Sequence, residues 1–365
     1  MTGPLDGVVV ADFSRVLAGP YATMLLGDLG AEIIKVERPG QGDDTRAWGP
    51  PYTPQGLSTY FAGVNRNKST RVIDLGTQDG RDEARAIALG ADVFVENFKP
   101  GALDRVGLGY ADLARAHPGL VYCSITGFGS GAGSELPGYD LLVQAMGGLM
   151  SITGPGPGEP TKAGVALVDV ITGLHATVGI LAALRHRDAT GEGQRVEVNL
   201  LSSLLSALVN QASGYVAAGV VPGILGNAHP SIAPYDVFAT ADRPLVIAVG
   251  NDAQFAALVT ELGAPELSAD PDYATNPARV AHREQLKVRL EGLLASRGAD
   301  EWQGRITRAG VPCGPINDIA QAFSLATSLG LAPVVDVDGT PTVAHPITLS
   351  RTPATYRSGP PDLPT

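Results

Sequence analysis

The first forty residues carry the tightest constraint on the fold. Residues 7–12 (GVVVAD) are a short apolar run ending in an acid, residues 22–29 have helical content, and residues 33–36 are again short and apolar. Gly19-Pro20 opens the middle segment. Proline suits a first helical turn because its missing N–H would have no partner there anyway. Strand, helix, strand in this space is the βαβ unit of a parallel sheet. The alternation continues, with strands predicted at 71–75, 93–95, 120–125 and 195–198 and helices at 80–89 and 111–117. It predicts an α/β fold with an open, parallel, Rossmann-like sheet over roughly the first 200 residues.

Residues 169–187 read as a long helix, with Val170, Leu174, Val178, Leu181 and Leu184 spaced by three or four, stopping at Thr190-Gly191-Glu192-Gly193. Residues 200–221 read as another, apolar nearly all round, which predicts burial or a subunit contact. From about residue 231 the texture changes to a hairpin (235–240 and 245–249) and helices near 254–262, 283–296 and 301–309. This predicts a smaller α+β domain over 226–329, with 1–225 and 330–365 forming the large domain. Residues 333–351 are strand-like and proline-rich, and 360–365 show no pattern.

Charge and composition exclude several functions. With 26 Lys and Arg against 37 Asp and Glu the net charge is −11, and no basic run occurs, so nucleic acid is not an expected partner. An anionic small molecule would need local cations. Cys123 and Cys313 lie far apart, and the six histidines contain no i,i+4 pair, which predicts no metal site and no Ser–His dyad. No run reaches about 18 apolar residues, and the N-terminus has neither a basic nor an apolar leader segment, so a cytoplasmic protein without a membrane partner is expected.

The opening βαβ unit invites a dinucleotide reading, with Glu37 placed to meet a ribose. The first turn, Phe13-Ser14-Arg15-Val16-Leu17-Ala18-Gly19, lacks the G-x-G-x-x-G that such binding needs. The glycine-rich stretch 127–133 reads as a flexible loop, or as one that covers a ligand. Without a histidine base, the chemistry must need little proton transfer or must use carboxylates. Asp169 stands out, flanked by Val165-Ala166-Leu167-Val168 and Val170-Ile171. It reads as the N-cap of the long helix, as a carboxylate held in a dry pocket, or as both. Asp140 likewise precedes a helix that it could cap. Arg38 and Arg105 lie near strand ends, where an open α/β sheet binds ligands, and otherwise read as solvated surface charges.

Ordered motifs along nearly the whole chain resemble the family III CoA-transferases (CaiB/BaiF type). They include Asp12-Phe13-Ser14-Arg15-Val16-Leu17-Ala18-Gly19-Pro20, Gly27-Asp28-Leu29-Gly30-Ala31-Glu32, Asn65-Arg66-Asn67-Lys68, Glu96-Asn97-Phe98-Lys99-Pro100-Gly101, Gly138-Tyr139-Asp140, Asp169 with Thr172-Gly173, and Gly310-Val311-Pro312-Cys313-Gly314-Pro315. The resemblance implies a Rossmann-like large domain, a small domain, and an interlocked homodimer. It implies CoA as cosubstrate with no permanently bound cofactor, acyl-CoA and carboxylic acid substrates, and Asp169 as a nucleophile. Carried over residue by residue, it places CoA near Val16, Ala18, Arg38, Asn97, Phe98, Arg105 and Val106, with Tyr139 and Asp140 bordering the acyl site. In the implied chemistry every nucleophile is an anion already, so no general base is needed.

The α-methylacyl-CoA racemases share this fold and are the alternative reading, beside a catalytically idle acyl-CoA-binding homologue. Their Gly-His-Asp stands where this chain has Gly138-Tyr139-Asp140, and their small-domain Glu falls in Gly250-Asn251-Asp252-Ala253-Gln254-Phe255, which favours transfer over racemisation. Leu17 and Pro137 depart from the Gln and Lys of formyl-CoA members, and their glycine-rich lid is absent between Pro222 and Tyr235. Residues 226–235 look more like members acting on dicarboxylates. The family's segment after the Pro-Pro is missing, so a shortened C-terminus is expected.

Overall fold

A computed structural model describes residues 3–364. The chain divides into two compact units, one of Met1–Leu149, Lys162–Val221 and Ala332–Thr365, the other of Met150–Thr161 and Pro222–Leu331. The larger unit begins β1 (Val9–Asp12), α1 (Ala18–Asp28), β2 (Glu32–Glu37), α2 (Thr59–Ala62), β3 (Lys68–Val72), α3 (Gln78–Leu89), β4 (Val93–Glu96), α4 (Tyr110–Ala116), β5 (Val121–Thr126), α5 (Asp140–Met146), α6 (Leu167–Thr190) and β6 (Arg195–Asn199). The six strands form one sheet in the order β3-β2-β1-β4-β5-β6, and every pairing is parallel. The order reverses between β1 and β4, and beyond the carboxyl ends of such a pair the sheet leaves a crevice.

Period-two alternation puts successive strand residues on opposite faces of the sheet. Val10, Val93, Val95, Val121, Cys123 and Ile125 pack on one side against Ala22 and Leu26 of α1 and Ala176, Ile180 and Ala183 of α6. Ala11, Phe94 and Tyr122 face the other side, against Ala84 and Ala88 of α3 and Leu113 of α4. Helix α6 is long and apolar enough to cross a membrane, but its buried stripe is committed to this core.

Beneath the crevice lies a buried charged cluster. Lys68 Nζ donates to Asp12 at 3.1 Å, and Lys35 Nζ donates to Asp43 at 2.9 Å and to the Ser14 carbonyl at 3.0 Å. Asp12 also accepts from the Ser14 and Thr23 hydroxyls. Burial alone would raise the Asp12 pKa, but Lys68, Lys35 and these hydroxyls outweigh it and hold it at about 2.

Two helix expectations need correction. The long helix begins at Leu167, two residues before Asp169, and its N-cap is Ala166, so Asp169 lies inside the first turn and does not cap it. Residues 200–221 are not one buried helix. They form α7 (Leu200–Ala207) and α8 (Val209–Ala218), parted where Val209 takes a φ of 40°. A β-branched residue with positive φ cannot continue a right-handed helix. Within the chain this stretch is largely uncovered, with Val209 69% and Val216 82% exposed.

The smaller unit carries β7 (Tyr235–Phe238), β8 (Leu245–Ala248), α9 (Asp252–Glu261), α10 (Asn276–Ala281), α11 (Arg283–Leu294), α12 (Ala299–Arg308), β9 (Cys313–Pro315) and α13 (Ile319–Ser328). Its antiparallel sheet runs β7-β8-β9 and packs against α9, α11 and α12 through Phe238, Leu245, Phe255, Leu290, Trp302 and Ile306. The expected hairpin and three helices are all present. Strand β9 and helices α10 and α13 are additional. Back in the larger unit, β10 (Val334–Val337) and β11 (Thr340–Val343) pair as a hairpin. Beyond it Arg357 donates to the carbonyls of Gly27, Gly30 and Ala31.

Candidate active site

A cavity of about 330 Å³ opens at the carboxyl ends of β1 and β4. From the turn after β1 it takes Arg15, Val16, Leu17 and Ala18, from the turn after β4 Asn97, Phe98 and Lys99, and from elsewhere the 127–129 loop, Tyr139 and Asp169. Asn97 ties the two turns together. Its Oδ1 accepts from the Arg15 N–H at 2.9 Å and its Nδ2 donates to the Arg15 carbonyl at 2.7 Å. Val16 is held at a φ of 69°, with its N–H turned to the Asp43 carboxylate at 3.3 Å. Such a conformation costs a β-branched residue energy and persists only where its surroundings enforce it. The glycine-rich loop does border this cavity. Its ends meet at Gly127 and Gly138, where a Cβ on Gly127 would fall 2.4 Å from the Gly138 Cα, so only glycine permits the closure.

Asp140 acts at a distance from its own helix. It is the first residue of α5, yet its Oδ1 accepts from the N–H groups of Val168 at 2.8 Å and Asp169 at 3.2 Å, so it caps α6 instead. Its Oδ2 accepts from Gln144 Nε2 at 2.6 Å, and Gln144 in turn accepts from the Ala163 N–H. This arrangement fixes the start of α6 and sets a negative charge close to Asp169. Burial first, and the Asp140 carboxylate second, raise the Asp169 pKa to about 7. Asp169 thus holds its proton to higher pH than an ordinary aspartate does.

The carried-over residues fall into distinct places. Val16, Ala18, Asn97, Phe98, Tyr139 and Asp169 share the first cavity. Arg38 lines a second one of about 220 Å³ with Val36, Ile73 and Leu75, and Arg15 and Phe98 border both. Arg105 and Val106 lie apart, in an open basin with Arg81 and Arg85. Glu37 accepts from Arg46 Nε and Nη2 and from the Asp43 N–H, so its carboxylate is not free for a ribose.

Sequence reasoning overlooked two residues. Tyr60, like Ala166 and Val170, packs against the buried cluster of Leu17, Met24, Leu25 and Val64. Burial, then the charges of Asp169, Asp140 and Asp43, raise its phenol to about 12, which keeps it a neutral donor. Arg15 appeared only inside a motif. No local pattern marks either one, because their relation to Asp169 arises from the fold. A His–Ser contact also exists, His175 Nδ1 to Ser203 Oγ at 3.1 Å, but neither residue borders the cavity. Among the described residues no group of three or more His, Cys, Asp or Glu side chains could hold a metal ion.

A family model described as CoA-transferase family III matches residues 5–364. A succinyl-CoA:glutarate CoA-transferase of Mus musculus is 46% identical over 327 residues, 89% of this chain and 75% of its own length. A succinate–glutarate CoA-transferase of Agrobacterium fabrum is 44% identical over 376 residues, 99% of this chain and 93% of its own. The crystal structure of a CaiB/BaiF family protein from Brucella suis superimposes with a TM-score of 0.89 at 43% identity, covering 100% of this chain and 97% of that one. The motifs, the parallel sheet with its crevice and these relatives agree: the chain belongs to CoA-transferase family III and is a CoA-transferase.

Proposed function

We propose that this chain moves CoA between a short dicarboxylic acyl-CoA and a free dicarboxylic acid through a covalent intermediate on Asp169. The observation that carries this reading is the Asp169 carboxylate, raised to about 7 by burial and Asp140, on the wall of a cavity shared with Asn97 and Phe98. A carboxylate of raised pKa is a stronger nucleophile once ionised. The relatives acting on succinyl-CoA and glutarate support the dicarboxylate class.

Asp169 attacks the thioester carbonyl, and the tetrahedral oxyanion collapses by expelling the CoA thiolate, leaving an aspartyl–acyl anhydride. The thiolate attacks the Asp169 carbonyl of that anhydride. The first acid departs as its carboxylate and an aspartyl-CoA thioester remains. The acceptor carboxylate attacks the same carbonyl, expels the thiolate and forms a second anhydride. The thiolate then attacks the acceptor's carbonyl, giving the new acyl-CoA and restoring Asp169. No proton is gained or lost once Asp169 is ionised. The remaining task is to stabilise the oxyanions in a site that excludes water.

The pH dependence follows. Only ionised Asp169 attacks, so kcat/KM for the acyl-CoA should rise about tenfold per pH unit at acid pH and level off above about 7. Asp140→Asn removes the neighbouring charge and should move that midpoint to lower pH. A midpoint unchanged by this substitution would show that Asp140 does not act on Asp169.

The reading is tested by supplying succinyl-CoA with glutarate and related acids in deuterated water and following products by mass spectrometry. Exchange of CoA between the acids, with no deuterium at the α-carbon, is expected. Rapid deuterium entry without exchange would replace this reading by the racemase.

We further propose an interlocked homodimer. The uncovered apolar residues Val209, Tyr215, Val216, Val220 and Val221 support an assembly that buries them. Sedimentation velocity should show a dimer over a wide dilution range, because unlinking requires unfolding. A compact, active monomer would contradict it.

A further inference from the structure

We propose that Gln144 is a positioning residue for the transfer reaction: its side-chain amide, held in one orientation, aims the Asp140 carboxylate at the start of α6 and so sets where the Asp169 carboxylate stands when it attacks. The proposal rests on the CoA-transfer reading above and adds the residue that keeps its nucleophile in place.

Three observations carry it. The first is that α6 supplies no cap of its own. Its N-cap residue, Ala166, has no side chain able to accept from the first turn, and the N–H groups of Val168 and Asp169 go to Asp140 instead. The backbone of Asp169 therefore hangs on a side chain from another helix, and whatever aims Asp140 also aims Asp169. A displacement of about 1 Å in a reacting group can cost about a hundredfold in rate.

The second is orientation. Gln144 lies four residues beyond Asp140 on α5, on the same helix face, and is fully buried. Its Nε2 donates to Asp140 Oδ2 at 2.6 Å, and its Oε1 accepts from the Ala163 N–H at 2.8 Å. A flipped amide would turn its oxygen to a carboxylate and its NH₂ to an N–H, losing both bonds. Burial makes such losses costly, so the amide has one setting.

The third is the path of the chain. Ala163 belongs to the stretch 162–166, through which the chain re-enters the larger unit and runs to α6. Gln144 thus pins that approach with its oxygen and, through Asp140, the first turn of the helix with its nitrogen. The charged groups tied to these bonds are Asp140, Asp169 and Lys162, whose exposed amine donates to the Ala163 carbonyl at 3.1 Å. Helix α7, which also packs on α5, carries neither acid nor base.

This arrangement makes Gln144→Glu a conditional substitution. One oxygen of the introduced carboxyl group can still accept from Ala163. The other can donate to Asp140 only while it carries a proton. Two facing carboxylates repel, so the variant keeps the arrangement in acid and loses it as that proton leaves.

The test follows CoA exchange between succinyl-CoA and glutarate by full-length protein across about pH 6 to 9, with CoA affinity measured by calorimetry at each pH. Gln144→Leu should lower kcat about 10- to 100-fold at every pH, with CoA affinity unchanged. For Gln144→Glu, kcat relative to wild type should be highest at the acid end and fall about tenfold or more towards the alkaline end, reversibly and with CoA still bound. Should Gln144→Leu not fold, Gln144→Glu decides alone. A ratio independent of pH overturns the proposal, as does an unchanged kcat in a folded Gln144→Leu variant. CoA affinity that falls in step with kcat would make Gln144 a structural residue only, and also overturns it. Wild-type protein that exchanges no CoA between acids would instead refute the transfer reading itself.

Discussion

Asp169→Asn should fold, bind CoA and lose transfer by about 10⁴-fold or more, since the proposed intermediate forms on the carboxylate that this change removes. Asp169 caps nothing; the N–H groups at the start of α6 are held by Asp140, so no capping bond is lost. The substitution should even stabilise the protein at alkaline pH. The folded-state pKa of Asp169 lies near 7, above that of an unfolded aspartate. Its favourable contribution is complete below the unfolded value and is lost as pH rises through about 7. Above that point the wild type carries a half-buried charge and the Asn variant does not. Denaturant unfolding should find the variant more stable by roughly 2–4 kcal/mol at pH 8 and not at pH 4. Equal stability at both values would show that Asp169 is not held in the environment described.

Lys68→Ala should be the most damaging change away from the reacting atoms. Lys68 is buried and donates to Asp12, to Asn65 and to the Pro20 carbonyl. Its removal leaves the Asp12 carboxylate short of a counter-charge beneath the turn that carries Arg15 and Val16. Breaking a buried pair by deleting one partner costs about 3–5 kcal/mol. Chemical denaturation near neutral pH should register that loss, and CoA affinity should fall with it because the turn after β1 loses its support. A loss below about 1 kcal/mol would mean that Lys35 alone neutralises Asp12.

The sheet was readable because its central strands are buried on both faces, and such strands appear as short apolar runs such as Val8-Val9-Val10-Ala11 between helix-length segments. Asp169 was readable for a related reason: an acid inside an apolar stretch needs an explanation. Long-range relations left no such trace. Asp140 caps a helix that starts 27 residues further along, and nothing near Asp140 signals it. The break at Val209 carries no glycine or proline, so residues 200–221 looked continuous. The start of α6 at Leu167 is not legible because aspartate is a favoured N-cap and Asp169 is the one polar residue in 165–171. Arg15, Arg38 and Arg105 all read as cations near strand ends, and only the folded sheet separates the first two from the basin that holds Arg105.

The covalent step on Asp169 can be trapped. The protein is mixed with acyl-CoA without acceptor, quenched with hydroxylamine, digested and analysed by mass spectrometry. An activated aspartyl carbonyl, whether anhydride or thioester, is converted to the hydroxamate, so the peptide containing Asp169 should carry that modification. It should be absent without acyl-CoA and absent in Asp169→Asn. Steady transfer between acids with Asp169 unmodified at every quench time, or a hydroxamate on another carboxylate, would rule out a covalent intermediate on Asp169.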